Sequence, residues 1–338
     1  MFSLILAPAC TGSAAHDHAT QSSPQSATSS NRNRIAVIVP PKRPSRYELA
    51  LVTSELRNQL IVLALPGGRV LRRIHLAADP KTVETAPGGP VAVVSPGSGT
   101  VTLFDRRLRR LHAFRSFRSP QLGAFTPDRR YLFVTDAADG TLTALRLSSM
   151  RAAGRLSVGL EAHHLAVRPD GRRVWVALGE AADTIVVVDS TDPHHLRVVR
   201  RLQPPVPVHD IAFTPDGSSI WVSSAAAPYV WVFAARGDRL VARVPAGPAP
   251  QHVLFADGRA YVTSGYGSSI EMIAARARRL IKRARLPYGS FNLAAALGRI
   301  VTTSVLDGKV TVLNATTLRQ LAETSVAPVA RSVAVLQS

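Results

Sequence analysis

A single cysteine, Cys10, stands in 338 residues, so no disulfide can form within the chain and the fold rests on packing and hydrogen bonds. Lysine is almost as scarce. Lys42, Lys81, Lys282 and Lys309 are the only four, against a formal net charge of +19. The excess is therefore nearly all arginine, a bias that a GC-rich coding sequence produces as readily as a phosphate-binding surface does. No apolar run approaches the ~20 residues that a membrane-crossing helix needs. The GxSxG, HExxH, Walker and CxxC patterns are also missing, which removes the nucleophile elbow, the zincin helix, the P-loop and the dithiol motif. Aromatic residues make up 6% of the chain and do not interleave with the basic runs, as stacking platforms for single strands would require. Sequence-specific nucleic-acid recognition is not expected.

What the chain does have is repetition. Gln121–Arg129 (QLGAFTPDR), His163–Gly171 (HHLAVRPDG), His209–Gly217 (HDIAFTPDG) and Gln251–Gly258 (QHVLFADG) are variants of one phrase, spaced at roughly 40 residues, a period typical of propellers and solenoids. Each is a short apolar strand that runs into a Pro-Asp-Gly type turn, where Pro presets φ, Asp caps the turn and Gly accepts positive φ. Second strands follow at Arg130–Thr135, Arg173–Leu178, Ser219–Ser224 and Arg259–Ser264. Third strands include Thr184–Asp189 and Tyr229–Phe233, and fourth strands Arg197–Leu202 and Arg239–Val244. Short runs rich in Val, Ile and aromatics between Gly, Pro, Asp and Ser read as strands. Each repeat is thus a four-stranded antiparallel meander.

Projecting the period outward gives an earlier repeat (Thr82–Ala86, Val91–Val94, Thr100–Asp105, Arg109–Phe114) and a later one (Asn292–Ala296, Arg299–Ser304, Lys309–Leu313, Leu318–Thr324). Tyr47–Thr53, Gln59–Leu65 and Arg69–Leu76 supply three strands of a first blade whose missing strand is Ala330–Leu336. The expected fold is all-β, a seven-bladed β-propeller of four-stranded antiparallel blades. Its ring is closed by the C-terminal strand, which removes exposed sheet edges. Arg34–Val39 is also in phase to open the first blade, so one terminal segment is surplus, and the spacing from Asn292 favours the C-terminal one.

The phrase HDIAFTPDG, followed by a Trp/Tyr-Val strand and then a VVVD-type strand, resembles the YVTN family of β-propeller repeats and, more distantly, lactonase-type propellers. The resemblance runs from Arg34 to the C-terminus and implies a fold more than an activity, since propellers host many functions. The Gly-His and Trp-Asp dipeptides of WD repeats are absent at the matching positions. Residues 34–338 are read as one domain.

Residues 1–33 read differently. Phe2–Ala9 is apolar, Cys10 follows, and a Ser/Thr/Ala/His stretch runs to Asn33, an order that resembles the end of a bacterial lipoprotein signal peptide with Cys10 as the lipidated residue. The expected product is exported, lipid-anchored at the outer surface of the bacterial cell membrane or otherwise extracellular, in contact with the membrane by that anchor alone, and monomeric. Its expected partner is an envelope protein or anionic envelope polymer. The runs at Arg69–Arg73, Arg106–Arg110 and Arg276–Arg285 fall in outer strands and hairpins, so the charge is expected on the rim of the disc.

In a propeller the first strand of every blade lines the channel, and the polar residues opening those strands converge near its mouth. His163, His164, His209, Asp210, Gln251, His252, Asn292 and Arg331 are the candidates for ligand binding. Such a set can hold a metal through imidazole and carboxylate, perform acid-base chemistry, or lock neighbouring blades by hydrogen bonds. The main expectation is a non-catalytic binding or scaffolding module of the cell envelope with no cofactor. A lactonase-like hydrolase and a metal or cofactor carrier are the alternatives, both built on the same residues. Asp128, Asp170, Asp216 and Asp257 are assigned to turns. Tyr131, Trp175, Trp221 and Tyr261 are assigned to packing between blades, and His194 and His195 to a solvated loop. His16 and His18 lie in the polar tether.

Overall fold

The structure, a computed structural model, describes residues 48–236 and 239–337. Cys10, His16, His18 and the Arg34–Val39 segment lie outside the described residues. Seven four-stranded antiparallel sheets succeed one another along the chain, each built from successive hairpins as the turn chemistry dictates. Blade 1 is the exception. Its inner strand, Ala330–Gln337, comes from the C-terminal end and pairs antiparallel with Glu48–Ser54, so that the ring closes on itself. The inner strands of blades 2 to 7 are Thr82–Thr85, Pro120–Phe125, Ala162–Val167, Ile211–Phe213, Val253–Ala256 and Ser290–Ala296.

The core is divided among the blade interfaces. Trp175 and Trp221 are buried on second strands and meet edge-on the rings of Phe213 and Phe255 on the next blade's inner strand, at 6.1 and 5.3 Å. Tyr261 is equally buried and donates its hydroxyl to the Ala315 carbonyl at 2.7 Å. Tyr131 packs in the cluster between blades 3 and 4. The turn aspartates act locally: Asp128 accepts the Arg130 N–H and Asp216 the Ser218 N–H. His194 and His195 are exposed, with His195 beside Asp192. The fourth strands are solvated, as at Arg279–Arg285, where all but one residue is exposed.

A second pattern joins the blades. At the start of the inner strands the ladder is interrupted between Pro120 and Gly123, Ala162 and Leu165, and Ser290 and Leu293. Such an irregularity re-aims side chains and takes two consecutive residues out of the ladder. The carbonyl of the first residue is then satisfied by the preceding blade. Thr53 donates to Lys81, Thr135 to His163, Ser223 to Gln251, Thr263 to Phe291 and Thr303 to Arg331, always across 28 residues. These hydroxyls latch five of the seven blade junctions around the channel.

Candidate functional site at the channel mouth

The irregular strand starts build the site. Where two successive residues leave the ladder, both can serve the channel mouth. There they line a cavity of about 220 Å3 with His163, His164, His209, Gln251, His252, Asn292 and Arg331 in its wall. Asp210 stands behind His252, its carboxylate 3.5 Å from Nδ1 of that ring.

At the second position of the pair, Asp210, Asn292 and Ser332 accept the backbone N–H of Val253, Val333 and Val83 on the next blade, at 3.1, 3.1 and 3.3 Å. These three are interblade locks. Gln251 is held locally, its side-chain oxygen accepting the Gly265 N–H at 3.2 Å. Arg331 reaches Glu55 at 3.5 Å. His164 and His252 occupy the position where other blades carry a lock, and His209 stands at the first position of its pair.

One ring nitrogen from each of His164, His209 and His252 lies within 4.8 Å of the other two. The rings are correspondingly close, with centroids 4.9 Å apart for His164 and His209 and 5.2 Å for His209 and His252. In each ring Nδ1 already has a neighbour. His209 Nδ1–H donates to the Glu180 carbonyl at 3.1 Å, His252 Nδ1 faces the Asp210 carboxylate, and His164 Nδ1 meets His163 Nδ1 at 2.9 Å. Nε2 is left as the available nitrogen on all three. Partners of this kind on the remote nitrogen are how proteins fix the tautomer and orientation of metal-binding imidazoles.

The His164–His163 contact extends outward. His163 Nε2 lies 3.1 Å from Lys81 Nζ and 3.4 Å from a Glu180 oxygen. When His163 Nε2–H donates to Glu180, its Nδ1 accepts from His164 Nδ1–H, and Nε2 of His164 carries a lone pair. When Lys81 donates to His163 instead, the relay reverses and Nε2 of His164 is protonated. A cation at the mouth selects the first arrangement.

Electrostatics favours neutral rings at His163, His164 and His209. Burial, reinforced by the neighbouring imidazoles, holds His164 well below the ordinary histidine range and brings His209 down to about 4. His163 is lowered chiefly by burial. Hydrogen bonding from His163, followed by the charge of Lys81, keeps Glu180 ionised far below the usual carboxylate range. Burial pushes Asp210 upward, but His252 and the Val253 N–H outweigh it and the carboxyl ends below its ordinary value. Further down the channel, burial and the Asp210 charge push Glu84 up to about 8.

Lys81 and Glu180 are the site residues that the sequence pattern did not single out. Lys81 holds the position in blade 2 that Gln121 holds in blade 3, and the two side chains meet at 2.9 Å, so the repeat phase carried its signal. Glu180 sits in the turn after a second strand, where nothing in the repeat marks it.

No protein-family model matches the chain, and no curated protein matches it. Solved structures do, at the level of the fold. A functionally unknown protein from Desulfotomaculum acetoxidans superposes with a TM-score of 0.75 at 13% identity, over 85% of this chain and 98% of the other. Apo AztD from Citrobacter koseri gives 0.69 at 11%, over 86% and 98%. Hydrazine synthase of Kuenenia stuttgartiensis gives 0.64 at 16%, over 75% and 89%. The likeness is one of architecture, a seven-bladed propeller.

Proposed function

We propose that this propeller is a non-catalytic binding module that holds one divalent transition-metal ion, of the zinc type, at its channel mouth through Nε2 of His164, His209 and His252. The observation that carries this reading is the convergence of three imidazoles, each supported from behind at Nδ1. A zinc ion with Zn–N of ~2.1 Å places its nitrogens about 3.4 Å apart, so ring nitrogens within 4.8 Å of one another need only a small closure on loading. Three protein ligands leave a further coordination position facing the cavity, which suits an ion that is received and passed on. On this reading the YVTN-type phrase marks the scaffold, export and a lipid anchor at Cys10 place the module at the envelope, and its partners are envelope components. A lactonase-like hydrolase would draw on the same imidazoles, and nothing in the geometry favours it over binding.

The test is metal content and calorimetric titration of the full chain with zinc, beside the His209→Ala/His252→Ala variant. The reading expects one ion per chain, lost in a variant that still melts cooperatively. A protein that takes up no ion, or a variant that keeps it, removes the assignment.

A further inference from the structure

Charge is sorted between the two faces of the disc, and the sorting points to a second surface. Antiparallel meanders put the turns between second and third strands at the mouth, as Glu180 shows by reaching His163. The first-to-second and third-to-fourth turns lie on the opposite face. At the mouth the exposed charges nearly balance, with Glu161, Glu180, Asp183 and Asp307 facing Arg57, Arg115 and Arg118. Four of the opposite turns are heavily basic: 105–110 reads DRRLRR, 128–130 reads DRR, 168–173 reads RPDGRR and 276–279 reads RARR, against exposed Asp192 and Asp216 in two others. A compositional taste for arginine has no reason to sort by face.

Two further features lie on the basic face. A cavity of about 320 Å3 opens between blades 2 and 3, walled by Leu103, Leu111, Leu147 and Met150 and flanked by Arg106, Arg129 and the carboxylate of Asp105, which Arg109 neutralises at 2.8 Å. The propeller's chain also enters here: Glu48 accepts the backbone N–H of Leu297, in the first-to-second turn of blade 7. An apolar cleft beside guanidinium groups matches the chemistry of a lipid, an acyl chain next to a phosphate, and not that of a fully polar polyanion.

We infer that the face opposite the mouth docks on an anionic lipid surface, which turns the histidine cluster away from the bilayer. Juxtamembrane arginines each contribute about 1 kcal/mol on such a surface, which is roughly fivefold in partitioning per residue.

The experiment uses the full chain carrying Cys10→Ser, so that any covalent lipid is removed from the comparison. It measures co-sedimentation with vesicles of phosphatidylcholine alone and of phosphatidylcholine mixed with phosphatidylglycerol. Binding is expected only to the mixed vesicles and is weakened by salt. Arg106→Ser, Arg107→Ser and Arg130→Ser together are expected to lower it by roughly a hundredfold, while Arg57→Ser with Arg118→Ser at the mouth leaves it unchanged. Leu111→Ser in the cleft is expected to weaken vesicle binding and leave binding to soluble heparin as it was. Equal binding to both vesicle types, an equal loss in the mouth variant, or binding to heparin or duplex DNA without binding to the mixed vesicles would overturn the inference. The substituted arginines are solvent-exposed, and an unchanged thermal melt verifies that each variant is folded.

Discussion

Replacing Thr303 by valine tests whether the interblade latches hold the ring. Thr303 is fully buried, and its hydroxyl donates at 2.8 Å to the carbonyl of Arg331, which sits where the pairing of the closing strand shifts between Val52 and Ser54. Valine keeps the shape and removes the donor, so that carbonyl loses its interblade partner at a cost of about 1–3 kcal/mol. Unfolding entropy of about 2.1 cal/mol/K per residue gives roughly 600 cal/mol/K for a domain of this size, so each kcal/mol lowers the melting point by about 1.6 °C. Thr303→Val should therefore melt roughly 2–5 °C below the parent by calorimetry, and Thr303→Ser should recover most of the loss. Thr135→Val, which frees the His163 carbonyl and also the Leu122 N–H, should lose at least as much, and the two losses should add because the sites share no partner. An unchanged melting point in Thr303→Val, or a serine variant as unstable as the valine, would refute the latch.

Three other outcomes follow from the same geometry. Asp210→Ala removes both the lock on Val253 and the carboxylate behind His252, and zinc titration should show affinity lower by roughly 10- to 100-fold, with Asp210→Asn losing less because its amide oxygen still accepts the Val253 N–H. With His209 at about 4 when folded against 6.5 as its ordinary value, the unfolded chain binds more protons between those limits. Stability is therefore present above pH 6.5 and is lost on acidification toward 4, by at most about 3 kcal/mol; His209→Gln should flatten that part of the pH–melting curve. Deleting residues 327–338 removes the inner strand of blade 1 and exposes the edge of Glu48–Ser54, so the truncate should aggregate in light scattering, and a soluble, cooperatively melting truncate would contradict the closure.

The propeller was legible because its signals are local and repeated. The Pro-Asp-Gly turns, the Val-rich second strands and the phase of Ala330–Leu336 each needed only neighbouring residues or one fixed period. The latches were legible in principle, since Thr53, Thr135, Ser223, Thr263 and Thr303 recur at one place in the second strand, but a hydroxyl there reads as ordinary strand composition until the irregular strand starts are seen. At the mouth, sequence phase gathered the right residues without separating them. Asp210 and His252 are equivalent in the repeat, yet the first locks a backbone N–H and the second turns to the cluster, because the outcome depends on side-chain reach across the channel. Glu180 comes from a turn outside the repeat's register. The basic runs were placed on outer hairpins from the pattern alone, but their gathering on one face is a property of the closed ring.

The central claim is that His164, His209 and His252 meet at one ion. X-ray absorption of the zinc-loaded full chain tests it most directly. The account predicts a first shell containing three imidazole nitrogens at about 2.0–2.1 Å, with the imidazole scattering lost when the three histidines are replaced by alanine. A shell of oxygens alone, or an imidazole signature that survives the triple replacement, would contradict it.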